Sequence, residues 1–283
     1  MKVVLAGAFG HTGTDLLNEL VKAGHNVVAL DLKEKDTPYG SFEFKEIDAC
    51  RKETLLGTCD GADIVISTIG LTSANTTFSN YDIDLNGNLN LLGEAKRANV
   101  KKFIYISHFK ADDAKDIPLL DAKAKFEKAL KNSGLKYLIF RPTRYFHDLE
   151  GIFMPMVEKG KVTLLGKKVL HVNPISTYDL ATFIVSKLDE ENKVYSIGGK
   201  ERYTYYDIAS LFFEAKGMDN VIKYMPPWIY SIVSFFTKDK SKGEKSFVKY
   251  YKWAFTNDLE ADEKIGSSSF REYVFSLYKK CEE

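Results

Sequence analysis

The chain has 283 residues, 45% of them hydrophobic and 28% charged, a balance that allows an extensive buried core without metals or disulfides. With 40 lysines and arginines against 39 acidic residues, the net charge of +1 excludes the basic footprint of a nucleic-acid binder. Cys50, Cys59 and Cys281 lack metal-ligand spacing, and no apolar run reaches the roughly 18 residues of a spanning helix, so a reduced, cytoplasmic setting is expected.

In chain order, short apolar runs alternate with amphipathic ones. Residues 3–6, 27–30, 42–47, 64–68, 103–107 and 135–141 read as strands, and 14–23, 85–98 and 121–133 carry apolar residues at helical spacing. In the helix at 85–98 the expected buried stripe is Leu85, Leu89, Leu92 and Ala95, with Glu94, Lys96 and Arg97 off it. Gly24 and Gly134 follow helices, where a left-handed cap is usual. The alternation predicts an α/β fold, a Rossmann doubly wound parallel sheet with helices on both faces.

After Arg141-Pro142-Thr143 the rhythm changes. Residues 162–165 and 168–172 read as a hairpin around Gly166, followed by a helix at 177–188, a strand at 194–197 and a helix at 205–216. A smaller C-terminal α+β lobe is expected. The chain then divides into a nucleotide-binding domain, 1–150, and a substrate or cap lobe, 151–283, packed on the first and not folding alone. The segment 226–236 is apolar almost all round and reads as buried core. A hydrophobic lid, or a membrane-surface contact with Lys238, Lys240 and Lys242, is the less favoured alternative.

The strongest chemical signal is Gly7-Ala8-Phe9-Gly10-His11-Thr12-Gly13, set between a strand and a helix. A diphosphate needs backbone N–H groups at close range and a helix N-terminus aimed at it. Gly7 permits the tight turn, Gly10 lets the backbone approach the phosphates, and Gly13 lets helix and strand pack closely. Asp31, at the end of the second strand, is placed to accept hydrogen bonds from the adenosine ribose and to repel a 2′-phosphate. That favours NAD(H), with NADP(H) as the alternative, since Lys33 and Lys35 follow closely. Asp48, after the third strand, is a candidate for the adenine edge or else a turn residue.

The GAFGHTG loop, the STIG segment at 67–70 and the stretch VKKFIYIS…PLLDAKAKFEKALKNSGLKYLIFRPTRYF resemble the atypical short-chain dehydrogenase/reductases. Within them the likeness is to the NmrA-like branch, and there to 8-vinyl reductases of chlorophyll biosynthesis. The segments VNPISTYDLATFIV and YSIGG carry it to about residue 215. The resemblance implies that Thr68, Ile69, Gly70, Ser107, Lys123 and Pro142 also meet the cofactor.

That superfamily uses Tyr-x-x-x-Lys on one helix, so that the lysine tunes the tyrosine and holds the nicotinamide ribose. Here Lys123 matches the lysine, Leu119 stands in the tyrosine position, and Phe109 in that of the partner serine. Carbonyl reduction through a tyrosine is therefore not expected. His108 and Tyr145, with His147 close by, are the candidate replacements as proton donors. Two functions follow. One is a reductase passing hydride from NAD(P)H to a hydrophobic conjugated small molecule; the other is a non-catalytic NAD(P)-sensing module of the NmrA type.

Overall fold

The computed structural model describes residues 1–35, 37, 40–71, 76–166, 169–230 and 241–279. The first half runs β1 (Lys2–Ala6), α1 (His11–Lys22), β2 (Asn26–Asp31), β3 (Glu43–Glu46), α2 (Lys52–Leu55) and β4 (Ile64–Ser67). A π-helical turn (Tyr81–Gly87) leads into α3 (Asn88–Arg97), then β5 (Lys102–Ile106), α4 (Pro118–Lys131), β6 (Lys136–Pro142) and α5 (Phe146–Glu158). The second half adds β7 (Val162–Leu165), β8 (His171–Val172), α6 (Thr177–Ser186), β9 (Lys193–Gly199), β10 (Tyr203–Thr204) and α7 (Tyr205–Lys216). It closes with β11 (Ile222–Met225), α8 (Lys242–Ala254), β12 (Glu263–Ile265) and α9 (Phe270–Lys279).

Eight strands form one parallel sheet in the order β12-β9-β6-β5-β4-β1-β2-β3. Strands β4 and β5 are buried along their whole length because both sheet faces are covered, which is why they read as unbroken apolar runs. On one face Leu16, Leu17 and Leu20 of α1 pack with Leu180, Ala181 and Ile184 of α6. On the other, Leu91, Leu92 and Ala95 of α3 meet Phe126 and Leu130 of α4. Strand order reverses between β1 and β4, and that switch opens a crevice at the carboxyl ends of the strands. Strands β9 and β12 and helix α6 lie beyond residue 150 yet complete this layer, so the two parts interleave along the chain. The lobe has its own core, where Phe153 of α5 stacks on Phe212 of α7 and Phe270 of α9 closes the cluster.

Three expectations need correcting. The buried face of α3 is Asn88, Leu91, Leu92 and Ala95, while Leu89 is 37% exposed. The preceding π-helical turn takes more residues per turn and so rotates the register. Glu94 is buried because it accepts from the Gly57 N–H (2.8 Å) and pairs with Arg97 (2.7 Å). Residues 162–165 do not fold back as a hairpin. Strand β7 pairs in parallel with β11, held by the Gly166 N–H on Met225 O (2.8 Å), and β8 pairs with β10; Lys168 lies outside the described residues. Nor is the start of 226–236 core, for Trp228 is 63% exposed. Residues 231–236, Lys238, Lys240 and Cys281 lie outside the described residues, and Lys242 opens α8. Among the described residues no helix is long and apolar enough to cross a membrane.

Candidate nucleotide and substrate site

The loop after β1 is made by backbone. Gly7 sits at φ +76°, its N–H bonded to Leu30 O (2.9 Å), and a Cβ there would meet Thr68 Oγ1 at 2.6 Å. Gly13 packs so tightly that a Cβ would stand 2.0 Å from Gly7 O. Gly10 caps α1 in an extended conformation without any side-chain cap. The first-turn N–H groups of α1, from His11 to Gly13, are therefore left to a ligand, and the helix dipole adds partial positive charge there. A tight glycine turn in front of a helix that no side chain caps fits a diphosphate.

A cavity lies on each side of this loop. The first, of about 260 Å³, is bordered by Gly7, Phe9, Asp31, Lys35, Asp48 and Ile69, among others. Asp31 accepts from the Phe9 N–H (2.8 Å) and from its own following Leu32 N–H (2.8 Å), which fixes its carboxylate against the loop. Lys35 Nζ donates to Phe9 O (2.8 Å) and brings a cation to the same rim. Asp48 also accepts from the Cys50 N–H (2.9 Å), so its turn role and its place in the cavity coexist. Ala8 and Pro142 border neither cavity. Ala8 is fully buried, and the Pro142 carbonyl accepts from the Phe109 N–H (2.9 Å).

The second cavity, of about 290 Å³, shares Gly10, Thr68 and Gly70 with the first and extends to the lobe. It gathers His11, Thr12, Gly13, Ser107, His108, Leu119, Lys123 and Tyr145, so the two halves form one groove across the switch point. Lys123 is not a solvated helix lysine. It is buried, 3.1 Å from Asp84 Oδ1 and 3.4 Å from both Tyr105 Oη and Ile106 O. Burial disfavours its charge, but Tyr105 and the Asp84 carboxylate outweigh that and hold the ammonium firmly protonated. Asn80 Nδ2 donates to Asp84 (2.8 Å) and orients it. The Ser107 hydroxyl donates to the buried Glu127 (2.6 Å), which also binds Arg141, so that proton points away from the cavity. Phe109 packs against the lobe core, leaving an apolar ring in the serine position.

His108 is drawn into a directed chain. Its Nδ1 faces Phe109 O (2.6 Å), a pure acceptor, so Nδ1 carries the hydrogen and Nε2 accepts from Tyr250 Oη–H (2.6 Å). Tyr250 Oη in turn accepts from Arg144 Nη1 (3.1 Å). Burial pushes the imidazole down to about 4, so it is neutral at pH 7. Both ring nitrogens are engaged, and this corrects the expectation of His108 as an acid. Tyr145 keeps its proton, its hydroxyl pushed up chiefly by burial. Its ring heads a column with His147 (5.2 Å) and then His11 (4.1 Å), which places two imidazoles beside the diphosphate loop.

Sequence reasoning misses Arg144 and Tyr250. Tyr250 comes 142 residues after His108, and no local pattern could pair them.

A doubly wound sheet with a glycine loop at its switch point and a cavity on each side of that loop defines a dinucleotide-binding Rossmann protein. The chain belongs to the NAD(P)H-binding family, matched over residues 7–191, among the atypical short-chain dehydrogenase/reductase and epimerase-like proteins. It is 24% identical to the photosystem II assembly factor Ycf39 of Synechocystis sp. over 266 residues, covering 90% of this chain and 76% of that one. It is 28% identical to the chloroplastic divinyl chlorophyllide a 8-vinyl-reductase of Arabidopsis thaliana, covering 69% of this chain and about half (51%) of that protein. In fold it is similar to the Escherichia coli NADPH-dependent quinone oxidoreductase QOR2 complexed with NADPH, at TM-score 0.77 and 18% identity, over 98% of this chain and 99% of that one. Triphenylmethane reductase of Citrobacter sp. is likewise similar, at TM-score 0.76 and 19% identity, over 99% of this chain and 100% of that one.

Proposed function

We propose that the protein is an NAD(P)H-dependent reductase acting on a hydrophobic conjugated small molecule, with NAD(H) the preferred cofactor. The observation that carries this is the open second cavity. It continues the nucleotide groove past Lys123 and is walled by Leu119, Phe247, Tyr250 and Tyr251. A protein that only senses the nucleotide would need room for the nicotinamide half, but not the apolar and aromatic wall of Leu119, Phe247, Tyr250 and Tyr251 beside it.

When bound, the cofactor supplies hydride, which is the hard part of the chemistry. The chain supplies the rest. First-turn N–H groups of α1 hold the diphosphate, and Asp31 faces the adenosine ribose. Lys123, locked by Asp84, is placed to hold the nicotinamide-side ribose as a fixed cation. Leu119 and the aromatic wall exclude water from the reacting face. With His108 engaged and Ser107 turned away, Tyr145, on the wall of the second cavity, is the proton donor we assign. It serves to protonate a carbanion or enolate formed after hydride addition. Leu119 has no proton to give a developing alkoxide, so simple ketones are poor substrates.

The other reading, an NmrA-type sensor, is favoured by Leu119 and by a relative named as an assembly factor. A steady-state panel separates them: quinones, enones and simple ketones, each with NADH and NADPH. Oxidation of the cofactor by a conjugated acceptor, with ketones slow, supports the reductase. Tight cofactor binding with silence across the panel overturns it.

A further inference from the structure

Arg144 is 1% exposed, on the wall of the second cavity; it forms no ion pair among the described residues, and Asp148, which lines the same cavity, acts on it only through space. Its surroundings are aromatic: the guanidinium carbon lies 5.6 Å from the Tyr250 ring centre, 5.8 Å from Tyr251 and 5.6 Å from Phe255. One nitrogen, Nη1, is used by Tyr250 Oη. The other two, Nε and Nη2, are buried with no partner among the described residues.

A buried cation with two empty donors is costly to the fold by itself. The pattern of vacancy is specific. Nε and Nη2 present their hydrogens along one edge of the planar fork, the edge that grips a carboxylate with two parallel hydrogen bonds. Tyr250 holds the third nitrogen and the rings flank the plane, so the fork is set in place before any ligand arrives. The cavity lining combines apolar and aromatic side chains, among them Leu71, Leu119, Phe247 and Tyr251, with polar and charged ones, among them Lys123, Asp84 and Asp148.

We infer that Arg144 is a specificity residue that takes the carboxylate of a flat, apolar substrate, whose body lies against the aromatic wall. This deepens the proposed function and rests on it in taking the second cavity to be the substrate's. No bond is made or broken at Arg144; it orients the substrate by its anionic end relative to the cofactor.

The test uses binding, so that it stands apart from turnover. The full-length protein, saturated with NAD⁺, is titrated with 2-naphthoate and with its neutral isostere 2-naphthamide, by calorimetry. The wild type is expected to prefer the carboxylate at least tenfold. Arg144→Met should abolish that preference, leave NAD⁺ affinity within twofold, and melt no lower than the wild type. If Arg144→Met does not fold, Arg144→Gln carries the same comparison. Equal binding of the two probes by the wild type overturns the inference. So does a preference that survives either substitution, and so does a loss of NAD⁺ affinity, which would assign the cation to the cofactor. Should the probes discriminate as expected while no conjugated acceptor is ever reduced, the reductase reading fails and the carboxylate site stands.

Discussion

The two halves of the groove are built from different materials. The glycine-loop side, bordered by Asp31 and Asp48, is backbone: a left-handed glycine, an extended glycine, a helix start, and one carboxylate pinned to the loop by the Phe9 N–H. The side bordered by Lys123 and Tyr145 is side chain, assembled from β5, α4, the β6–α5 turn and α8, with Lys123 on Asp84 and His108 on Tyr250. Backbone geometry tolerates little change and declares itself in local sequence. A side-chain cavity can be relined one residue at a time, so one scaffold can host different substrates. The account therefore expects substitutions on the first side to act on cofactor binding or on the fold, and those on the second to act on chemistry and on the stability of buried pairs.

The sharpest way to break this contrast lies within the loop. Gly13→Val should cost more than about 3 kcal/mol of stability, because its Cβ collides with Gly7 O, which cannot move aside. Gly10→Val should cost less than about 1 kcal/mol, its Cβ meeting only Gly7 O at 3.5 Å, yet it should still abolish nucleotide binding. Urea denaturation beside calorimetry reads both, and equal stabilities would contradict the packing.

On the side-chain half, Lys123→Met strands the buried Asp84 carboxylate and should cost about 3 kcal/mol, with loss of turnover. A variant as stable as the wild type would show that Asp84 does not need its partner.

His108 gives a pH signature. In the unfolded chain its imidazole takes a proton near 6.5, in the folded protein only near 4, so between those values the unfolded state binds more protons. Its contribution is full above about 6.5 and is lost as the pH falls to 4. Allowing for the ring's partial access to the cavity, the loss is on the order of 2 kcal/mol. His108→Gln should remove that part of the pH dependence; an unchanged slope between pH 4 and 6.5 would mean the histidine is solvated.

The smallest effect belongs to Asp31. Asp31→Asn should raise NADP(H) affinity relative to NAD(H) about tenfold, or roughly 1.4 kcal/mol. A wild type that already prefers NADP(H) would instead give the rim to Lys35, whose Nζ sits on Phe9 O.

The same contrast explains what was legible beforehand. Strands β1 to β6, helix α4 and the loop from Gly7 to Gly13 follow from local periodicity and from glycine spacing, which are properties of neighbouring residues. The π-helical turn at Tyr81–Gly87 is not written in apolar spacing, and it shifted the buried face of α3. Pairing of β7 with β11 joins segments about sixty residues apart, which a reading for hairpins cannot foresee. Lys123 and Asp31 are marked in the sequence itself, by motif and by strand end, and both line the groove. Arg144 and Tyr250 carry no such mark, since their role arises only when α8 closes over the β6–α5 turn.

The most direct test of the central claim is the fate of the transferred hydrogen. The wild-type protein is given nicotinamide cofactor deuterated at C4 and a conjugated acceptor, and the product is weighed by mass spectrometry. One deuterium per product molecule, absent with Gly10→Val, is the predicted result. Bound cofactor that never delivers deuterium to any acceptor would contradict the account and leave the chain a sensor.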